Sequence, residues 1–230
     1  MARKRRKVVL VIVEGPSDDM ALEQSFAAFF NPDEVKIKVV HGDMTADFSI
    51  NPSNIVASVG NLVRGWASKY GLKCSDFLKV IHITDTDGAY IPDANVIEDI
   101  NHNGRPEYSE TNIVASPKSK VRERNALKRS NLYKLSSLPT VWVKIPYSIY
   151  YMSCNLDHVL YDMRNSDDAT KSQNAFQFAK KYKDNLDGFV EYISDPAIAV
   201  VGDYRETWEY IRQGMNSLHR HTNLNLCFQS

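Results

Sequence analysis

What this chain of 230 residues lacks narrows it first. Cysteine is scarce: Cys74, Cys154 and Cys227 stand far apart with no C-x-x-C pair. That excludes a disulfide framework and a thiolate zinc site and suits a reducing compartment. Long apolar runs are missing. Val8 to Val13 covers six residues and ends at Glu14-Gly15, whereas a secretory core needs about 7 to 15 apolar residues and a membrane span about 20. No other stretch approaches that length, so a cytoplasmic protein without a membrane span is expected. Net charge is missing too: 28 basic residues balance 28 acidic ones, which excludes a diffuse cationic coat for nucleic acid. The balance is uneven along the chain. Arg3 to Lys7 and Lys118 to Arg129 together hold 11 of the bases and only one acid, Glu123, which leaves two basic elements on an acidic body. There are no internal repeats or low-complexity tracts, and a composition of 43% hydrophobic and 24% charged residues is that of an ordinary folded domain.

The residues that are present pattern as alternating strands and helices. Lys7 to Val13 is a β-branched run of the kind buried on both faces of a parallel sheet. Ser17 is a candidate N-cap for a helix reaching about Phe30, with Met20, Leu22, Phe26 and Phe30 as its apolar positions. Val35 to Val40 predicts a second strand, Asn54 to Tyr70 a helix, and Phe77 to Thr84 a third strand that runs into Asp85-Thr86-Asp87-Gly88. Strand and helix in this alternation imply right-handed crossovers and a parallel sheet. Residues 90–110 are an irregular connection, and Asn112 to Ala115 is a short strand. Ser116-Pro117 starts a basic helix to about Ser136, and Thr140 to Ile145 is a fourth strand. Asn155 to Met163 and most of 167–218 are helical, the last helix opening with Asp203 and Glu206 in a capping box. The expected organisation is an α/β core over 1–150 with a basic tail over 1–6, and a mostly helical extension over 151–230 packed on it.

Two strands end in carboxylates, and ligands of open parallel sheets bind beyond the carboxyl ends of the strands. Asp85 and Asp87, two residues apart in an extended segment, aim to one side while Thr86 faces away. Glu14 leaves the first strand at the matching end, and Asp18 looks back from the next helical turn. Crowded carboxylates resist joint ionisation unless a cation lies between them. Oxygen donors with no His or Cys close by select Mg²⁺ or Mn²⁺.

The order of a hydrophobic strand ending in Glu14-Gly15, a second strand ending in Gly42 and a third ending in Asp85-x-Asp87 resembles the TOPRIM domain. Within that family it is closest in pattern to the nucleases of the overcoming-lysogenization-defect type and the small TOPRIM nucleases. The resemblance spans residues 7 to about 90. It implies a Rossmann-like fold and metal-dependent hydrolysis of DNA or RNA, in a setting such as phage defence or repair and with an ATPase or other protein partner. Glu14, Asp85 and Asp87 are then the catalytic residues. Asp18 matches the second acid that follows the glutamate in the nuclease branch. Asn155-Leu156-Asp157 loosely matches a further x-Leu-Glu segment, so the implied metal ligands are Glu14, Asp18, Asp85, Asp87 and Asp157. Gly88-Ala89 departs from the many relatives that carry a third acid there, which speaks against a topoisomerase mechanism. Lys118, Lys120, Arg122, Arg124, Lys128, Arg129 and Lys144 are the candidate contacts to nucleic-acid phosphate.

Two other assignments share some of these residues. Asp85-x-Asp87-Gly88 also resembles the first motif of haloacid-dehalogenase phosphatases, with Ser116 and Val201-Gly202-Asp203 as later motifs. Against that, two strands and Glu14 precede it. A non-catalytic ion-binding subunit of a larger complex is the third.

Overall fold

The computed structural model describes residues 6–32, 35–42 and 44–229. Its main sheet has the order β2-β1-β3-β8-β7, with β9 also on β8. Strands β1 (Lys7–Val13), β2 (Val35–His41), β3 (Phe77–Asp85) and β8 (Ile145–Ser153) run parallel. The short β7 (Thr140–Val141) and β9 (His221–Thr222) pair antiparallel with β8. This is a Rossmann-like α/β architecture with a mostly parallel sheet between two helical layers.

The β1 run explains the layering, because successive side chains of a strand point to opposite faces. Val9, Val11 and Val13 join Ile81, Ile83 and Met152 in one core, under α1 (Pro16–Phe29), α4 (Leu156–Tyr161), α5 (Asp168–Tyr182) and α6 (Leu186–Ile193). Val8, Leu10 and Ile12 join Val80, Ile149 and Tyr151 in the other, under α2 (Ile55–Lys69), α3 (Lys118–Ser136) and α7 (Tyr204–Ile211). A second sheet of three short strands, β4 (Val96–Glu98), β6 (Ile113–Ala115) and β5 (Glu107–Tyr108), is inserted between β3 and α3.

Several boundaries differ from the expected ones. The fourth long strand is Ile145–Ser153, not Thr140 to Ile145: Trp142 and Val143 take positive φ (41° and 74°) and turn the chain between β7 and β8. That strand crosses the expected division at residue 150, and β9 brings the C-terminal part of the chain back into the sheet. Gly15 rather than Ser17 caps α1, because Pro16 occupies the first helical position, where its missing N–H costs nothing. Met20 lies on the solvent side. The capping box at Asp203 and Glu206 forms at the start of α7. Of the expected basic tail, residues 1–5 lie outside the described residues, and the Arg6 guanidinium donates to the Pro32 carbonyl at 2.8 Å. Among the described residues no helix is long and apolar enough to cross a membrane.

Candidate functional site

The chain leaves β1 for β2 on one side and returns across it to β3 on the other, so the strand order reverses between β1 and β3. Such a reversal opens a crevice at the carboxyl ends of the strands. Glu14 follows the last residue of β1 and Asp85 ends β3, so both stand on this crevice. The end of β8 aligns with them, since Asp85 is in register with Met152. From that end the chain turns through Asn155, whose side chain caps α4 by accepting from the His158 N–H at 2.9 Å. The Leu156 N–H then donates to Asp85 Oδ1 at 2.9 Å. The Asn155-Leu156-Asp157 segment is thereby drawn against Asp85.

Glu14 is held by several donors. Its Oε1 accepts from the Thr84 hydroxyl and from the Asp85 N–H, each at 3.0 Å, and lies 3.5 Å from Lys128 Nζ. Lys128 also donates to Asp87 Oδ2, and its side chain is completely buried. Asp87 reaches this lysine through a left-handed backbone (φ 50°) followed by Gly88 (φ 63°), not by continuing the strand. The positive φ at Gly88 favours glycine there, and a Cβ would also stand 2.6 Å from Leu218 Cδ2, displacing that side chain. Thr86 does face away, donating to the Ser217 carbonyl at 2.9 Å. Asp85 and Asp87 still line one cavity of about 630 Å³.

Further along the crevice, Asp18 Oδ2 accepts from the Gly15 N–H at 3.0 Å, which also closes the first turn of α1. Asp157, almost fully buried, lies 3.6 Å from Lys171 Nζ of α5. Glu14, Asp18, Asp85, Asp87 and Asp157 therefore form one band of acids, with Lys128 near one end and Lys171 near the other.

The electrostatics follow from this arrangement. Burial, reinforced by Glu14, Asp18 and Asp87, pushes the Asp85 carboxyl well above the usual range. Burial pushes Asp18 up to about 6, against the pull of the Gly15 N–H and Lys171, and pushes Asp157 up as well. Asp87 moves the other way: burial would raise it, but Lys128 and Arg124 beside it hold it low. Among the described residues no three His, Cys, Asp or Glu side chains are gathered into a metal cage. The donor set nevertheless fits a hard divalent cation, because Asp85 is a buried carboxyl facing three others, and a cation relieves such crowding. Glu14, Asp85 and Asp87 would hold it, with Asp18 and Asp157 beyond.

The basic residues of α3 are divided between inward-facing and solvent-facing positions. Arg122 donates to the Val96 carbonyl at 3.3 Å, Arg124 to that of Asp87 at 2.8 Å, and Arg129 to that of Ala89 at 3.2 Å. Arg122 and Arg129 brace the inserted segment, whereas Arg124 lines the cavity over Asp85 and Asp87. Lys128 turns into the acids, Lys118 is half-buried, and Lys120 is exposed. Lys144 precedes β8 and so lies at the amino edge of the sheet, a strand's length from the acids. Asp203 is spent on capping α7, accepting from the Glu206 N–H at 2.8 Å, and is not among the charges that act on Asp85. Sequence reasoning missed Thr84, Tyr108, Arg164 and Lys171. Thr84 alone had a signal, as the strand residue beside Asp85 on the face opposite to it. Comparison with protein-family models, curated proteins and solved structures finds no match.

Proposed function

We propose that this protein is a metal-dependent nuclease of the TOPRIM type, hydrolysing phosphodiester bonds of DNA or RNA. The observation that carries the reading is the Asp85 carboxyl, set among Glu14, Asp18 and Asp87 on a cavity that Arg124 and Lys171 also line. Acids that attract a divalent cation and cations that attract a phosphate share one concavity. Mg²⁺ or Mn²⁺, when bound, supplies charge neutralisation at the phosphate and acidifies water.

The chain's own groups do the rest. Glu14, oriented by the Thr84 hydroxyl and the Asp85 N–H, is ligand or proton acceptor. Lys128, fully buried between Asp87 and Glu14, balances their charge and holds both carboxylates in place. Arg124 is locked by Tyr108, Asn125 and the Asp87 carbonyl, so its charge is aimed before substrate arrives. The two buried cysteines and the half-buried Cys74, all free thiols, fit a cytoplasmic setting.

The test sets wild type beside Glu14→Gln, with Mn²⁺, on labelled single- and double-stranded DNA and RNA and on a small phosphomonoester. Loss of nucleic-acid cleavage by about 10² or more, with the folded state retained by circular dichroism, is expected. Phosphomonoester turnover that survives Glu14→Gln, with no nucleic-acid cleavage by wild type, would overturn the assignment.

A further inference from the structure

The cavity over Asp85 and Asp87 has two rims, and they are tied together. One rim is the inserted segment, with Arg105, Tyr108 and Glu110. The other is the turn between α4 and α5, with Arg164, Asn165 and Asp168. Arg105 makes a two-pronged pair with Asp168 at 2.8 and 2.9 Å. Asn165 accepts from the Tyr108 N–H and donates to the Tyr108 carbonyl, both at 2.9 Å. Arg164 pairs with Glu110. Three cross-links over one opening leave a pocket of about 630 Å³, within the range of roughly 300–1,000 Å³ that takes one small ligand.

A duplex presents its phosphates on a wide, stiff cylinder, and bringing one of them to Asp85 would set the partner strand against these cross-links. One unpaired nucleotide fits where two paired strands do not. The wall carries what a single strand needs. Arg124 lines the cavity and donates to neutral acceptors (Tyr108 Oη at 2.8 Å, Asn125 Oδ1 at 2.8 and 3.2 Å, and the Asp87 carbonyl at 2.8 Å), so its charge, which also acts on Asp87, has no carboxylate hydrogen-bonded to it. Lys171 stands on the same wall.

Building on the nuclease reading, we infer that the site takes single-stranded nucleic acid, or a frayed strand end, with one unpaired nucleotide seated between the cross-linked rims and its phosphate held by Arg124.

Binding tests this apart from cleavage. Glu14→Gln in Mg²⁺, which keeps a bound strand intact, is titrated at one fixed, low salt concentration against labelled single-stranded DNA and RNA oligonucleotides and against the same strands hybridised to their complements. Single strands should bind at least about tenfold more tightly than duplex. Adding Arg124→Met should weaken single-strand binding about tenfold or more, Arg124→Lys should restore part of it, and the melting temperature of each variant verifies its fold. Equal or tighter duplex binding, no binding of either form at low salt, or displacement of the oligonucleotide by an equal concentration of mononucleotide would overturn the inference. The nuclease reading stands or falls on the cleavage assay above, whichever way binding turns out.

Discussion

Lys128 is the residue whose removal tests the electrostatic reasoning most directly. Its ammonium group is fully buried and bonded to Asp87, 3.5 Å from Glu14, whose side chain and that of Asp87 are only 19% and 22% exposed. In Lys128→Met the volume is nearly kept, but Glu14 and Asp87 lose the ammonium group that bridges them, with Arg124 still beside Asp87. Breaking a buried pair by removing one partner typically costs about 3–5 kcal/mol. At this chain length each kcal/mol moves the melting midpoint by about 2–4 °C, so Lys128→Met should melt roughly 6–20 °C lower in metal-free buffer at neutral pH. Asp87→Asn relieves part of the same strain. The double variant should therefore be less destabilised than the two singles added, with a coupling of about 1–3 kcal/mol by urea denaturation. A divalent ion can take over the position vacated by the ammonium, so Mn²⁺ should raise the midpoint of Lys128→Met more than that of wild type; saturation at a hundred times Kd is worth about 2.7 kcal/mol. A single variant within about 0.5 kcal/mol of wild type, or strict additivity, would refute the reasoning.

Wild type should melt higher in Mg²⁺ or Mn²⁺, and Asp85→Asn with Asp87→Asn should remove that increment; undiminished metal binding by calorimetry in the double variant would move the site elsewhere. Asp18 in the folded chain titrates near 6, above its ordinary 3.8, so the folded state holds an extra proton between those values and stability falls as pH rises through that window. The depressed His82 and His158 act in the opposite sense, favouring the folded state as pH rises toward 6.5, and the raised Asp85 and Asp157 act in the same sense as Asp18. The contribution of Asp18, together with its effect on Asp85, is therefore read from the difference between wild type and Asp18→Asn across pH 4 to 7. A constant difference over that window would show that Asp18 is not perturbed. Arg129→Ala frees the Ala89 carbonyl and should lower the melting temperature while leaving the salt dependence of oligonucleotide binding alone; a slope flattened by roughly 0.7–0.9 per residue would return Arg129 to the phosphate-binding role.

How much of this was legible in sequence depended on whether local pattern and burial agreed. In β1 and β3 they did: both are apolar runs buried on two faces, and the acids that end them mark the sheet edge unambiguously. For β8 they did not. Pro146 and Ser148 interrupt its start, while Val141-Trp142-Val143 just before it has the composition of a strand but the backbone of a turn. The site was legible as far as its acids, since Glu14 and Asp85 stand together at the carboxyl ends of two buried strands. Its cations were not. The inward positions of α3 are Val121, Asn125, Lys128, Asn131, Leu132 and Leu135, spaced as a buried face should be, but three of the six are polar, so the apolar period that announces such a face is erased. Lys128 then looks like Lys120, which does face solvent. What separates them is not on the helix: Asp87 and Glu14, brought from the ends of two other strands, make burial of one lysine favourable and leave the other in water. A basic helix behind an acidic sheet edge should therefore be tested position by position, because those of its charges that turn inward pair with the acids while the rest stay in solvent.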